Sequence, residues 1–225
     1  MGFLIYFILL LIIPIWAQMR VKGAYRKYSQ ISSSSGMAGA QVARKILDEN
    51  GLYNVRIEEV PGKLTDHYDP SSKVVRLSTD NYHGTSIAGA AVAAHEVGHA
   101  IQDAEGYAFL RLRHALVPAA NFGSNASFFL ILAGILLSWS GFILLGIFAM
   151  AAAVLFQIVT LPVEFNASSR AMEQIVSAGV IRNDEERETR KVLNAAALTY
   201  VAGALVALLE LVRFILMYLG MSGDE

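Results

Sequence analysis

Five consecutive residues, His95-Glu96-Val97-Gly98-His99, carry the clearest chemistry in the chain. On a helix, residues four apart share a face, so His95 and His99 can present two imidazoles to one metal ion. Glu96 falls beside that ion rather than on it, where its carboxylate can take a proton from an activated water. A chance HExxH from this composition is expected only about 0.006 times in a chain of this length. There is no cysteine and there are five histidines, so any metal must be held by His, Asp or Glu, and Zn2+ is the ion this pattern suits. Two imidazoles leave such a site incomplete, because a catalytic zinc typically takes three protein ligands and a water. Glu105 has the spacing of the HExxHxxGxxH class, but Gln102 stands where that class needs a glycine to turn the chain. Asp103 and His114 are possible, though each reads first as a helix-end or interfacial residue. Glu164 follows Leu161-Pro162-Val163 and is expected to open a new helical segment, EFNASSRAMEQIV; an ordinary boundary glutamate is the equal alternative. Peptide chemistry would also need an oxyanion donor. His83, Tyr82 and Arg170 are candidates by proximity to these segments, and a structural role is the competing reading of each.

The elements that must position these residues are legible around them. Thr85 or Ser86 can cap an alanine-rich helix that contains the HEVGH stretch and stops before Gly106. Upstream, Ser32 to Ser35 form a small linker, and GMAGAQVARKILDEN has helical composition with Gly51 as its C-terminal stop. Two β-branched segments, 54–60 and 73–78, read as strands separated by a turn-forming stretch with Pro61, Gly62, Asp69 and Pro70.

The rest of the chain is far less polar. Hydrophobic residues make up 55% and charged residues 16%, against about a quarter in a soluble domain, and the mean hydropathy is +0.46. Residues 2–18 are uncharged and are followed, not preceded, by Arg20, Lys22, Arg26 and Lys27, the pattern of a retained anchor rather than a cleaved leader. From Ala115 to Val163, 49 residues pass without Asp, Glu, Lys, Arg or His. A single span needs only about 20, so this run is expected to be a helical hairpin turning at Ser138-Trp139-Ser140-Gly141. A last span covers 192–219, where Glu210 and Arg213, one turn apart, read as a self-neutralising pair. The expected organisation is therefore an anchor at 2–18, a polar domain at 20–114, a hairpin at 115–163, a polar helix at 164–191 and a final span at 192–219. Segments 20–114 and 164–191 hold 17 of the 18 Lys and Arg residues, a bias that places them in the cytoplasm and both termini outside. The fold class expected is a mainly α membrane protein, with about four transmembrane helices and a small α+β cytoplasmic domain. A net charge of −1, without a basic-aromatic patch or phosphate loop, argues against nucleic acid as a partner.

Three stretches, DHYDP (66–70), NYHGTSIAGAAVAAHEVGHAIQ (81–102) and FQIVTLPVEFNASSRA (156–171), resemble the YugP-like neutral zinc metallopeptidases of bacterial membranes. With the matching order of spans, the likeness covers nearly the whole chain. It is similar, more distantly, to the HtpX-type membrane proteases, whose HExxH is completed by a Glu on a later helix. The resemblance implies Zn2+ held by His95, His99 and Glu164, with Glu96 as catalytic base. It implies hydrolysis of peptide or membrane-protein substrates at the cytoplasmic face of a bacterial plasma membrane. Two positions depart from pattern: Asn166 replaces the Asp of the usual EFDAS, and Ser168 stands where the HtpX-type pattern has Asp. Uncharged groups there are expected to orient a ligating histidine less firmly. The rival reading is a non-enzymatic membrane scaffold or binding module with a structural or relic metal site. An intact Glu96 argues against it, since a structural site has no use for that base.

Overall fold

The computed structural model describes residues 2–222, which fall into two compact units. One unit gathers 1–14, 108–162 and 200–225; the other gathers 15–107 and 163–199. The chain is mainly α-helical, and among the described residues there is one three-stranded sheet and four helices are long and apolar enough to cross a membrane.

Helix α1 (Gly2–Tyr28) carries the uncharged N-terminal run and continues ten residues past its expected end at 18. Nothing between Gln18 and Tyr28 breaks a helix, and Arg26 and Lys27 sit in the last turn, where the helix dipole favours positive charge. In the apolar unit, α5 (Ala108–Leu136) and the first part of α6 (Ser140–Ser177) form the expected hairpin. Its turn is tight: Trp139 N–H returns to the Gly134 carbonyl, and Ser138 takes the left-handed conformation. Small residues bring the two helices together. A Cβ on Gly123 would lie 2.2 Å from the Ala149 carbonyl oxygen, so only glycine permits this approach. The outward faces show Phe122, Phe128, Phe129 and Phe148 to the surroundings, an apolar surface suited to lipid.

Glu164 does not open a new helix. The α6 helix runs unbroken through Pro162 to Ser177, where Gly179, with φ +63°, ends it. A proline removes one backbone bond but is tolerated inside membrane-type helices, and EFNASSRAMEQIV is itself good helical sequence. The stretch expected as one polar helix at 164–191 thus contains the end of α6, a 3-10 turn at Asn183–Glu185 and the start of α7 (Glu186–Ser222).

In the polar unit, α2 (Gly39–Glu49) is amphipathic and packs Val42, Ala43, Ile46 and Leu47 into a core with the alanine face of α4 (Ile87–Ala104). Full burial of Ile46 and Leu47 contributes about 1.5–3 kcal/mol each. Strands β1 (Arg56–Val60) and β3 (Val74–Ser78) pair in parallel, close to their expected bounds. A third strand, β2 (His67–Asp69), lies within the stretch expected to be a turn and pairs antiparallel to β3, giving the order β1-β3-β2. Asp66, just ahead of β2, accepts hydrogen bonds from Ser78 N–H and Oγ and from Asn81 Nδ2. These bonds tie β2 to a short helix α3 (Thr79–His83).

Candidate metal centre

The HEVGH residues lie in the middle of α4. Ser86 is its N-cap, its side chain accepting a hydrogen bond from Gly89 N–H, and Gly106, with φ +66°, follows its end. Fourteen of its eighteen residues are buried, His99 among them, and His95 is partly buried.

Gly98 sets how closely α6 can approach. A Cβ at this position would lie 2.7 Å from the Ala167 carbonyl oxygen and 3.3 Å from its Cα. Only glycine allows this contact, and the contact brings the α6 face bearing Glu164, Ala167, Ser168 and Ala171 against the two histidines. All four of these α6 residues are buried.

There the side chains converge. The ligand-type atoms of His95, His99 and Glu164 all lie within 4.8 Å of one another. Glu164 Oε2 stands 3.3 Å from His95 Nε2 and 3.6 Å from His99 Nε2, and the residue is 2% exposed. Two nitrogen or oxygen ligands about 2.0–2.1 Å from a tetrahedral zinc are roughly 3.4 Å apart, so the donor set and its spacing fit that ion. Burial pushes the His99 imidazolium pKa down, but the Glu164 hydrogen bond and the Glu96 and Glu164 charges more than offset it, leaving it raised. The Glu96 and Glu164 carboxylates thus favour a charged His99. Glu96 lies in the same region, 8% exposed.

Each imidazole is also held from behind. His95 Nδ1 is 3.2 Å from Ser168 Oγ, and His99 Nδ1 is 3.0 Å from Gln102 Oε1. Gln102 is fully buried, and its Nε2 donates to the Val163 carbonyl and to Asn166 Oδ1. The amide that stands in place of a chain-turning glycine therefore touches a histidine of the site. Asn166 does not touch either imidazole; its Oδ1 accepts from Gln102 and from Arg170 Nε. An Asp could accept the same two hydrogens, so neutral Asn loses neither bond. Ser168 reaches His95 directly, as a hydroxyl in the place of the HtpX-type Asp.

The other expected candidates have partners elsewhere. His83 is exposed and pairs with Glu59, and Tyr82 packs at the edge of the hydrophobic core. Arg170 turns to Asn166 and to Glu105, whose carboxyl it holds below its usual pKa. Asp103 accepts from Tyr68 Oη and pairs with Lys73. Among the described residues, neither Asp103 nor Glu105 belongs to the converging group. Gln102 and Gly98 were not singled out as functional from the sequence. Gln102 sits three residues after His99, one helical turn on, which is the signal that could have found it.

A relative from Bacillus subtilis (strain 168), described as "Putative membrane protease YugP", is 57% identical over 204 residues, 91% of each chain. No solved structure matches. The family described as "Putative neutral zinc metallopeptidase" matches residues 3–219, and the chain belongs to that family.

Proposed function

We propose that the chain is a zinc-dependent metalloendopeptidase in which His95, His99 and Glu164 hold the metal and Glu96 is the general base. The observation that carries this reading is the convergence of two imidazoles and one buried carboxylate, at ligand-like spacing, on the helix that also bears Glu96. Zinc, when bound, supplies a Lewis acid that polarises the scissile carbonyl and lowers the pKa of water. Glu96 accepts the proton of the attacking water and delivers it to the leaving amine nitrogen; its near burial one residue after His95 supports this role. Among the described residues the converging group has three members, which leaves room for water and favours a catalytic site over a closed structural one.

The segments at 20–114 and 164–191 are read as cytoplasmic, with 2–18, the hairpin at 115–163 and 192–219 in the membrane. Substrates are then membrane proteins, or chains delivered to the inner face of a bacterial plasma membrane. The chain has no natural cysteine, so single cysteines test the orientation cleanly. A cysteine at Ser72 is expected to be shielded from an impermeant thiol reagent in intact cells, while one at Ser222 reacts; the reverse pattern would turn the site outward. For the chemistry, Glu96→Gln is expected to keep zinc and lose cleavage of an unfolded or membrane-protein substrate. Equal activity in both forms would exclude Glu96 as the base. Zinc binding with no cleavage by the wild type would instead favour a metal-bearing scaffold.

A further inference from the structure

The hydrogen bonds behind His99 have a fixed sense. Arg170 Nε can only donate, so Asn166 must present its carbonyl oxygen, 2.8 Å away. That same oxygen lies 2.9 Å from Gln102, so Gln102 must turn its NH2 toward it. The Val163 carbonyl, 2.8 Å from the same nitrogen, can only accept and demands the same orientation independently. Gln102 therefore has only its carbonyl oxygen left for His99 Nδ1, at 3.0 Å, and Nδ1 must carry a hydrogen. A neutral His99 then has its lone pair on Nε2, the atom that faces Glu164. Imidazole in water favours the opposite tautomer, with hydrogen on Nε2, which would point an N–H at the site.

We propose that Gln102 is a positioning residue, oriented by Asn166 and Arg170, that locks His99 in the tautomer whose Nε2 lone pair faces the metal position. The inference rests on the zinc reading for its purpose but not for its geometry, which belongs to the protein alone. Arg170 is itself held by Glu105 at 2.7 Å, so the relay begins at a partly exposed ion pair and ends on a nearly buried ligand. It gives Gln102 a role at the position where the HExxHxxGxxH class has glycine. It also accounts for the substitution at 166, because Asn and Asp both accept in the relay. His95 lacks this constraint: a serine hydroxyl can donate or accept, so Ser168 does not dictate the His95 tautomer.

The full chain, labelled with 15N histidine and freed of zinc in lipid nanodiscs, provides a readout independent of activity. With only five histidines, His99→Gln assigns the signal. At alkaline pH, where imidazoles are neutral, the wild type is expected to show His99 with a protonated Nδ1 and an unprotonated Nε2. Gln102→Leu is expected to shift His99 toward the Nε2–H form and to weaken zinc binding about 10–100-fold in a chelator competition. Asn166→Asp should leave both readouts near wild type, because the carboxylate accepts the same hydrogens. If Gln102→Leu does not fold, Gln102→Met, which keeps the side-chain length and removes both hydrogen-bonding groups, should still shift His99 toward the Nε2–H form. A purely structural role would lower stability without moving the tautomer. Unchanged His99 signals in the folded variants would overturn the relay, and wild-type zinc affinity in Gln102→Leu would overturn its function while sparing the zinc reading. A wild type that binds no zinc but shows the locked tautomer would defeat the zinc reading and leave the relay standing.

Discussion

Glu210 and Glu164 are both acidic side chains set among apolar residues, one in each unit of the chain, and their surroundings answer the charge differently. Glu210 accepts a hydrogen bond from Tyr6 Oη at 2.7 Å and is paired with Arg213 at 2.8 Å. The guanidinium in turn lies over the rings of Tyr6 and Phe214, 5.3 and 4.2 Å from their centroids. That cluster pairs opposite charges, and its Tyr6 bond to Glu210 joins α1 to α7. Glu164 instead faces two histidines, with His95 Nε2 at 3.3 Å and His99 Nε2 at 3.6 Å, which carry charge only when protonated. Glu210 is thus paired with a cation on its own helix, whereas Glu164 lies at ligand-like spacing from two imidazoles, the arrangement on which the zinc reading rests, although their sequence contexts look equally anomalous.

The contrast breaks most sharply by mutation. Glu164→Gln is expected to abolish tight zinc binding, because one of three ligands loses its charge. Glu210→Gln should retain full zinc stoichiometry and instead lower stability by about 1.5–3 kcal/mol, the scale of a hydrogen bond to a charged group, read as a shift in the unfolding midpoint in mild detergent. Zinc loss from Glu210→Gln would merge the two clusters into one functional unit. Chelation should show the same asymmetry with a smaller effect. Removing zinc held at about 1,000 times its dissociation constant costs the folded state about 4 kcal/mol, so the wild type should melt lower in chelator and Glu164→Gln should not respond. Gly98→Ala comes next. Its new Cβ would press on the Ala167 carbonyl, costing about 1–3 kcal/mol as α6 moves away, and zinc affinity should fall with it. An unchanged affinity would mean that the close α4–α6 approach is not what assembles the site. The smallest effect is expected from Ser168→Ala, about tenfold or less in zinc affinity, since it removes one soft contact to His95.

Much of this was readable in the sequence where local rules dominate. The HEVGH helix, its serine cap, the stop at Gly106 and the hairpin turn at 138–141 follow from spacing, capping and the absence of charge, and the structure has them there. The four membrane-length helices follow from hydropathy in the same way. The parts that were not legible depend on contacts between distant segments. β2 is three residues long and forms because β3 offers it an edge, which no local propensity announces. The continuity of α6 through Pro162 was hidden because a proline beside a new charge imitates a boundary. Gly98 looked like a spacer within the motif until Ala167 was seen against it, and Gln102 looked like a missing glycine until its three partners were known. Tyr6 gave no sign of its pairing with a residue 204 positions away.

The central claim is that His95, His99 and Glu164 bind one zinc for Glu96 to use. Zinc K-edge X-ray absorption on the full-length Glu96→Gln protein, with metal analysis, tests it most directly, because turnover is absent while every proposed ligand remains. The account predicts one zinc per chain with two imidazoles, one carboxylate oxygen and one further light-atom ligand from water. A zinc held by four protein side chains, or a zinc site that survives intact in Glu164→Ala, would contradict it.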